Sequence, residues 1–361
     1  MTNLKKLGLS ALAGSLVAIS AQAGEMAVTG SANVTLKTGG AGNTGGQSIG
    51  TDKDVAFTGT GELDNGYTFT VSTAMKDTNV VSSSYTSIVM GSLGTLTFNG
   101  KNTGGAAGKY DEEVPQAYEQ SSDALGNSSD LIGNQLDSAS ITYNSASYDY
   151  AGVSLSFDID YAPQADDTVA GDGGQQVYSE TAGHGYGLGV TAKYDALTIG
   201  VYGNEIENKT PNETADVDHV ADSFGGVWYA KYSAGPVSIG YSESYLDSGK
   251  TGAAEAITAA KVARTAAGIF EGKSMSIAYN VNDDLSVSYT RSVDTYEGSR
   301  VADIANAVAA TSIDTTVNAY QAAYSMGAMS IKAYNMSVKN PGYNTLNQDR
   351  SITEIAVGLA F

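Results

Sequence analysis

Val153-Ser154-Leu155-Ser156-Phe157-Asp158-Ile159-Asp160-Tyr161 alternates without interruption: odd positions are apolar, and even positions carry hydroxyls or carboxylates. A helix would scatter the two sets around its circumference, whereas a strand sends each to its own face. One such segment fits a half-buried strand of a soluble sandwich as well as a strand between lipid and water. Segment length and repetition have to separate the two.

Period-two segments of about ten residues mark membrane-barrel strands. Sixteen can be placed here, at residues 26–38, 53–63, 66–78, 84–91, 95–102, 138–145, 151–162, 184–194, 197–206, 222–233, 237–247, 269–281, 285–295, 315–325, 329–340 and 350–361. The alternation is weakest in 84–91 and 315–325. Connections between them alternate between short and long. Asp64-Asn65-Gly66, Ser92-Leu93-Gly94, Asp195-Ala196, Ala234-Gly235-Pro236, Asn282-Asp283-Asp284 and Met326-Gly327-Ala328 have tight-turn chemistry. Long connections cover 39–52, 103–137, 163–183, 207–221, 248–268, 296–314 and 341–349, with a brief one near 79–83. A soluble sandwich has no reason for this rule, and an outer-membrane barrel does, with short turns on one side and long loops on the other. Tyr67, Tyr143, Tyr194, Tyr232, Tyr279 and Tyr324 all fall near short turns and read as an aromatic girdle at that end.

The two ends agree. Lys5 and Lys6 precede an apolar stretch from Leu7 to Ile19 and the small-residue run Ala21-Gln22-Ala23. This reads as a signal peptide over residues 1–23, cleaved before Gly24. No later stretch has eighteen consecutive apolar residues, so no transmembrane helix is expected. At the other end Ile355, Val357, Leu359 and Phe361 alternate with small or polar residues to the last position. A final strand of this kind is expected to pair with the first, because an open edge in lipid leaves backbone groups unpaired at several kcal/mol each.

Composition fits the same fold. Glycine (43) and tyrosine (23) are abundant, proline (5) is scarce, and there is no cysteine to form a disulfide, a thiolate metal site or a lipid anchor. The chain carries 19 Lys and Arg against 39 Asp and Glu, and loss of the leader removes two of those lysines, so a nucleic-acid partner is not expected.

A leader, a C-terminal phenylalanine, sixteen strands and an outsized third long loop together resemble the general diffusion porins of Gram-negative outer membranes, particularly their alphaproteobacterial branch. The resemblance covers residues 24–361 and rests on architecture and the two ends, with no invariant internal motif. It implies an all-β, sixteen-stranded antiparallel transmembrane barrel in outer-membrane lipid, assembled as a homotrimer. Small hydrophilic solutes and ions would diffuse passively through it, without a cofactor. It also implies that Phe361 belongs to the signal read by the barrel assembly machinery. In that family the third loop folds inward and sets acidic groups against basic side chains on the wall.

The loop at 103–137 is the longest and holds Asp111, Glu112, Glu113, Glu119, Asp123 and Asp130. It reads either as a constriction folded into the lumen or as a solvated external loop, and the resemblance favours the first. Parity puts Lys37, Lys76, Lys101, Lys193 and Lys231 on the polar face of their strands. At mid-membrane depth in lipid each would cost roughly 2–4 kcal/mol, so they belong to the lumen wall or the rim. The family's wall cluster is usually arginine-rich, and this chain has only Arg264, Arg291, Arg300 and Arg350. With the acidic excess, that departure predicts a mild cation preference.

Other signals are weaker. His184 and His219 sit near loops without a nucleophile motif, which disfavours a barrel hydrolase and any enzyme reading. A secreted adhesin is disfavoured by the loop alternation, and a substrate-selective channel of the same architecture stays open. Gly249-Lys250-Thr251 resembles the end of a phosphate loop but lacks its first glycine, Ser244 standing there. Gly185-x-Gly-x-Gly189 lies within a strand and reads as room for close packing or curvature. Asp166, Asp167 and Asp172, or Asp216, Asp218 and Asp222, are candidates for loop-bound Ca2+, without EF-hand spacing. Ala253–Ala267 and Val301–Ala310 have helical composition.

Overall fold

The structure, a computed structural model, describes residues 24–41, 46–77, 80–111, 113–121, 136, 139–165, 182–208, 221–249, 268–298 and 312–361. Residues 1–23, read above as a leader, His219, most of the candidate calcium ligands and both alanine-rich runs lie outside these residues.

The strands are β1 (Met26–Ala41), β2 (Gly46–Glu62), β3 (Thr68–Lys76), β4 (Val81–Val89), β5 (Thr95–Lys101), β6 (Ser140–Asn144), β7 (Tyr148–Tyr150), β8 (Val153–Ala162) and β9 (Ala182–Tyr194). They continue as β10 (Leu197–Asn208), β11 (Ser223–Ala234), β12 (Val237–Asp247), β13 (Ile269–Asn280), β14 (Leu285–Glu297), β15 (Ile313–Met326), β16 (Met329–Lys339) and β17 (Arg350–Ala360). All pairings are antiparallel, and β17 returns to β1 with Ala360 opposite Ser31 and Glu354 opposite Lys37. The sheet is therefore closed. Both β6 and β7 pair with β8, so they are two parts of one stave and the barrel has sixteen. The interruption has a local cause. Ser145 donates its N–H to the Phe157 carbonyl at 2.8 Å, while its Oγ takes the Phe157 N–H at 2.8 Å in place of a ladder carbonyl.

Pleat and sequence parity agree around the wall. Val28, Val34, Phe157, Ile159, Leu188, Val201, Ile239, Ile277 and Ile355 face outward and are 40–57% exposed. Asp158, Asp160, Ser242, Thr290 and Asp294 face inward and are buried. This inverts a soluble protein, whose large apolar side chains are mostly inside. The six girdle tyrosines have outward parity at the short-turn end, and the Tyr143 hydroxyl donates to the Leu93 carbonyl of a neighbouring turn at 2.6 Å. The outer face is not wholly apolar. Glu243 lies on it opposite Lys273, accepting from Trp228 Nε1 at 3.1 Å and from the Tyr241 hydroxyl at 2.6 Å.

The first external connection differs from expectation. Residues 39–52 read as a long loop, but the β1–β2 ladder runs on to Gly39 opposite Gly46. The extension, Gly46-Gln47-Ser48-Ile49-Gly50-Thr51-Asp52, is poor in β-formers, yet its backbone groups pair as well as any once the hairpin below fixes register.

Candidate functional site

The third external loop leaves β5 at Asn102. Asn102, Gly104 and Gly105 take left-handed φ values of 42°, 81° and 54°, which turn the chain off the wall. A single 3-10 turn at Ala107–Lys109 follows. From there the chain runs along the inner wall from β8 round to β17, fixed by a series of contacts.

The first anchor is the pair of aspartates in the alternating stretch of β8. Asp160 receives the Ala106 N–H at 2.8 and 2.9 Å on its two oxygens, the Thr142 hydroxyl at 2.5 Å and the Tyr202 hydroxyl at 2.8 Å. Asp158 receives Lys109 Nζ at 2.5 Å, the Tyr110 hydroxyl at 2.6 Å and Asn144 Nδ2 at 2.6 Å. Both carboxylates are out of solvent, a position tolerated only when the oxygens are satisfied, as these are.

The second anchor is steric. Tyr110 is buried with Ala106, Ala107, Tyr202, Val227 and Tyr229, its ring centroid 5.3 Å from that of Tyr202. It fits because β9 offers Gly185, Gly187 and Gly189 inward: a Cβ at Gly189 would strike the Tyr110 ring, and one at Gly187 the Tyr202 hydroxyl. On β12, Gly240 makes the same room for Val114 and Pro115. The glycine run of β9 is thus a seat for the loop.

Beyond Pro115 the loop is held by polar groups of the far wall. Ser276 donates to the Pro115 carbonyl. Ser288 Oγ accepts the Ala117 N–H at 2.9 Å, and Gln321 accepts the Tyr118 N–H at 2.8 Å while donating to the Glu119 carbonyl at 2.5 Å. The hydroxyls of Ser121 and Ser292 meet at 2.8 Å. Glu354 on β17 gathers Lys37 at 2.7 Å, the Tyr118 hydroxyl at 2.7 Å and the Tyr334 hydroxyl at 2.8 Å. Burial, and after it the bond to Asp158, raises the Tyr110 hydroxyl far above the usual tyrosine range; burial and Glu354 do the same for Tyr118. Both loop tyrosines stay protonated donors.

The loop acids divide. Glu113 pairs with Lys231 at 2.5 Å, an acidic group of the loop against a basic side chain of the wall. Asp111 follows the 3-10 turn, its N–H on the Ala107 carbonyl at 3.1 Å, and Glu119 is held through its backbone. Glu112 and Asp123 lie outside the described residues. Among the wall lysines, Lys37 and Lys231 have acidic partners. Lys76 stands opposite Asp54 on β2, Lys101 opposite Ser84 past a register shift, and Lys193 opposite Ser154 and Thr198. These three make no ion pair among the described residues. Two further lysines were not singled out by sequence: Lys109, at the loop base, and Lys332, 5.0 Å above the Tyr118 ring. Lys332 carries a readable signal, inward parity on β16. His184 lies on the outer face with Nδ1 2.9 Å from Glu207, and Asp222 accepts the Asn208 N–H at 3.2 Å.

No family model and no curated protein matches the sequence. The fold has many counterparts among solved structures. The OmpF of Salmonella typhi, in a complex with daunomycin, superposes with a TM-score of 0.68 at 14% identity, covering 95% of this chain and 99% of that one. OmpT, an outer membrane protein of Vibrio cholerae, gives 0.62 at 12% identity with 96% and 100% covered. The outer membrane channel DcaP of Acinetobacter baumannii gives 0.60 at 10% identity with 96% and 100% covered. At such identities the likeness is one of fold.

Proposed function

We propose that this chain forms a water-filled outer-membrane channel through which small hydrophilic solutes and ions diffuse passively, with a mild preference for cations. The observation that carries the reading is a long loop pinned inside a closed sixteen-stranded barrel from β8 to β17. A barrel of this size leaves an aqueous lumen, and a loop fastened within it restricts passage while leaving the wall closed. The solved structures of similar fold include a porin and an outer membrane channel, which supports the reading.

The cation preference follows from charge. The formal net charge is −20, and Glu354 and Glu113 each neutralise one of the wall lysines, leaving fewer positive groups to attract anions. Residues 1–23 act as a cleaved leader, and Phe361 contributes to recognition by the barrel assembly machinery. The working unit is a homotrimer, in keeping with the trimer form of Vibrio cholerae OmpT. Asp111, Glu112, Glu113, Glu119 and Asp123 on the loop, with Lys37, Lys76, Lys101, Lys193 and Lys231 on the wall, set the size and charge of the passage.

The test is conductance of the detergent-purified mature chain in a planar bilayer under a salt gradient. Stepwise openings in threes with a cation-leaning reversal potential are expected. Folded protein that never conducts would refute the channel, and an anion-leaning potential would refute the selectivity.

A further inference from the structure

Water should meet a polar wall, yet outward of the third loop four successive strands turn large apolar side chains into the barrel. Leu246 on β12, Phe270 on β13, Tyr296 on β14 and Ile313 on β15 all face inward, and none is more than 8% exposed. Taking such a cluster out of water is favourable, so a cover over it is stabilising.

The cover is the last external loop, residues 340–349. Tyr343 completes the cluster, its ring centroid 5.4 Å from Phe270 and 6.0 Å from Tyr296, and Phe270 and Tyr296 are 4.9 Å apart. The loop joins β16 to β17, so to reach Phe270 it crosses the inner faces of β15 and β14. It is held on the way. Thr315 donates its hydroxyl to the Asn340 carbonyl at 2.9 Å, and its Oγ1 accepts the Tyr343 N–H at 3.2 Å. Within the loop, Asn344 Oδ1 accepts the Leu346 N–H at 2.8 Å, and Asn347 Nδ2 donates to the Pro341 carbonyl at 2.8 Å. Tyr343 has a φ of +56°, a conformation non-glycine residues seldom keep unless their surroundings impose it.

The two inward loops are stacked. Ser121 of the third loop meets Ser292 on β14, and Tyr296 beneath Tyr343 lies four residues further toward the outer mouth on the same strand and face. We propose that loop 340–349, seated by Tyr343 in the Leu246–Phe270–Tyr296–Ile313 cluster, is a second constricting element. It carries the narrowing begun by the third loop up to the outer mouth and shares in size selection. This rests on the diffusion-channel reading above.

The experiment compares wild type, Tyr343→Ala and Val201→Ala. Val201 faces outward on β10, away from both the lumen and the cluster. Measurements are single-channel conductance and the rates at which vesicles carrying each protein swell in a monosaccharide and a trisaccharide. Because lumen dimensions govern conduction, Tyr343→Ala is expected to raise conductance by about 1.3- to 2-fold and to favour the trisaccharide, with Val201→Ala unchanged. Seating is read separately by thiol labelling, since the chain has no cysteine of its own. Asn344→Cys, at a position 3% exposed, should react with a maleimide far more slowly than Leu346→Cys, at a position 72% exposed on the same loop, in folded protein.

Equal labelling rates would overturn the seating even if Tyr343→Ala failed to fold. Folded Tyr343→Ala with wild-type conductance and sugar rates, beside a conducting wild type, would overturn this inference alone. A wild type that never conducts would overturn the channel reading and this inference with it.

Discussion

Gly189 on β9 has no side chain where the ring of Tyr110, seventy-nine positions earlier in the chain, comes to rest against the wall. A methyl group added there would occupy the volume of the Tyr110 ring and hydroxyl. Gly189→Ala is therefore expected to displace the head of the third loop without opening the barrel, since strand pairing does not need that glycine. Overpacking of this kind costs about 1–3 kcal/mol. The checks are a raised single-channel conductance and a lower unfolding midpoint. Wild-type values for both would mean that the seat does not position the loop.

Asp160 holds three kinds of donor at once, and its removal should be felt in the loop first. Asp160→Ala leaves the Ala106 N–H and the hydroxyls of Thr142 and Tyr202 without their acceptor, at about 1–3 kcal/mol for each group left buried and unsatisfied. Asp160→Asn keeps one acceptor oxygen and should lose less. Limited proteolysis is the direct reading. Cleavage in 102–121 should accelerate in Asp160→Ala, less in Asp160→Asn, and the strands should stay resistant. Equal loop protection in all three proteins would remove Asp160 from the anchoring role.

The alternation that makes β8 legible also hid these anchors. Asp158 and Asp160 satisfy a period-two pattern simply by being polar, so nothing in their spacing says that one serves Thr142, Tyr202 and the Ala106 N–H while the other serves Lys109, Tyr110 and Asn144. Strand number, wall parity and the closure of β17 on β1 are local or terminal properties and can be read along the chain. Loop seating is a relation between distant segments. The β9 glycines read as room for something, and only the fold supplies Tyr110, Tyr202 and Leu136 as the occupants. The same distinction explains Glu113 and Lys231. Both were singled out by residue type and parity, but whether they touch or face each other across water depends on where the loop crosses β11. It also explains loop 340–349, whose Tyr343 is an ordinary loop tyrosine until β12 to β15 place an apolar patch beneath it.

The Glu113–Lys231 contact makes a signed prediction about selectivity. Glu113→Gln leaves the Lys231 ammonium uncompensated on the lumen wall and should move the reversal potential toward anions. Lys231→Gln leaves the Glu113 carboxylate and should move it toward cations, each by on the order of twofold in permeability ratio, because charge at a narrow point weighs directly on which ions pass. The double variant should return near wild type. Single variants that shift the potential in the same direction would show that the pair does not act through its charge.

Phe361 closes the barrel at the seam: its N–H donates to the Gly30 carbonyl at 3.0 Å, its carbonyl accepts the Gly30 N–H at 2.8 Å, and its ring covers Gly30 where a Cβ would collide with it. The ring is 64% exposed, so it adds little to packing within one chain. Phe361→Ala keeps both backbone bonds and should refold from denaturant into detergent with nearly wild-type yield. Assembly in the cell, where a signal must be read, should fall sharply. Gly30→Val supplies the contrast, because it disturbs the seam and keeps the terminal ring; it should lower refolding yield in detergent as well as assembly. If Phe361→Ala loses refolding and cellular assembly in equal measure, the terminal ring is a seam residue and its role in recognition is refuted.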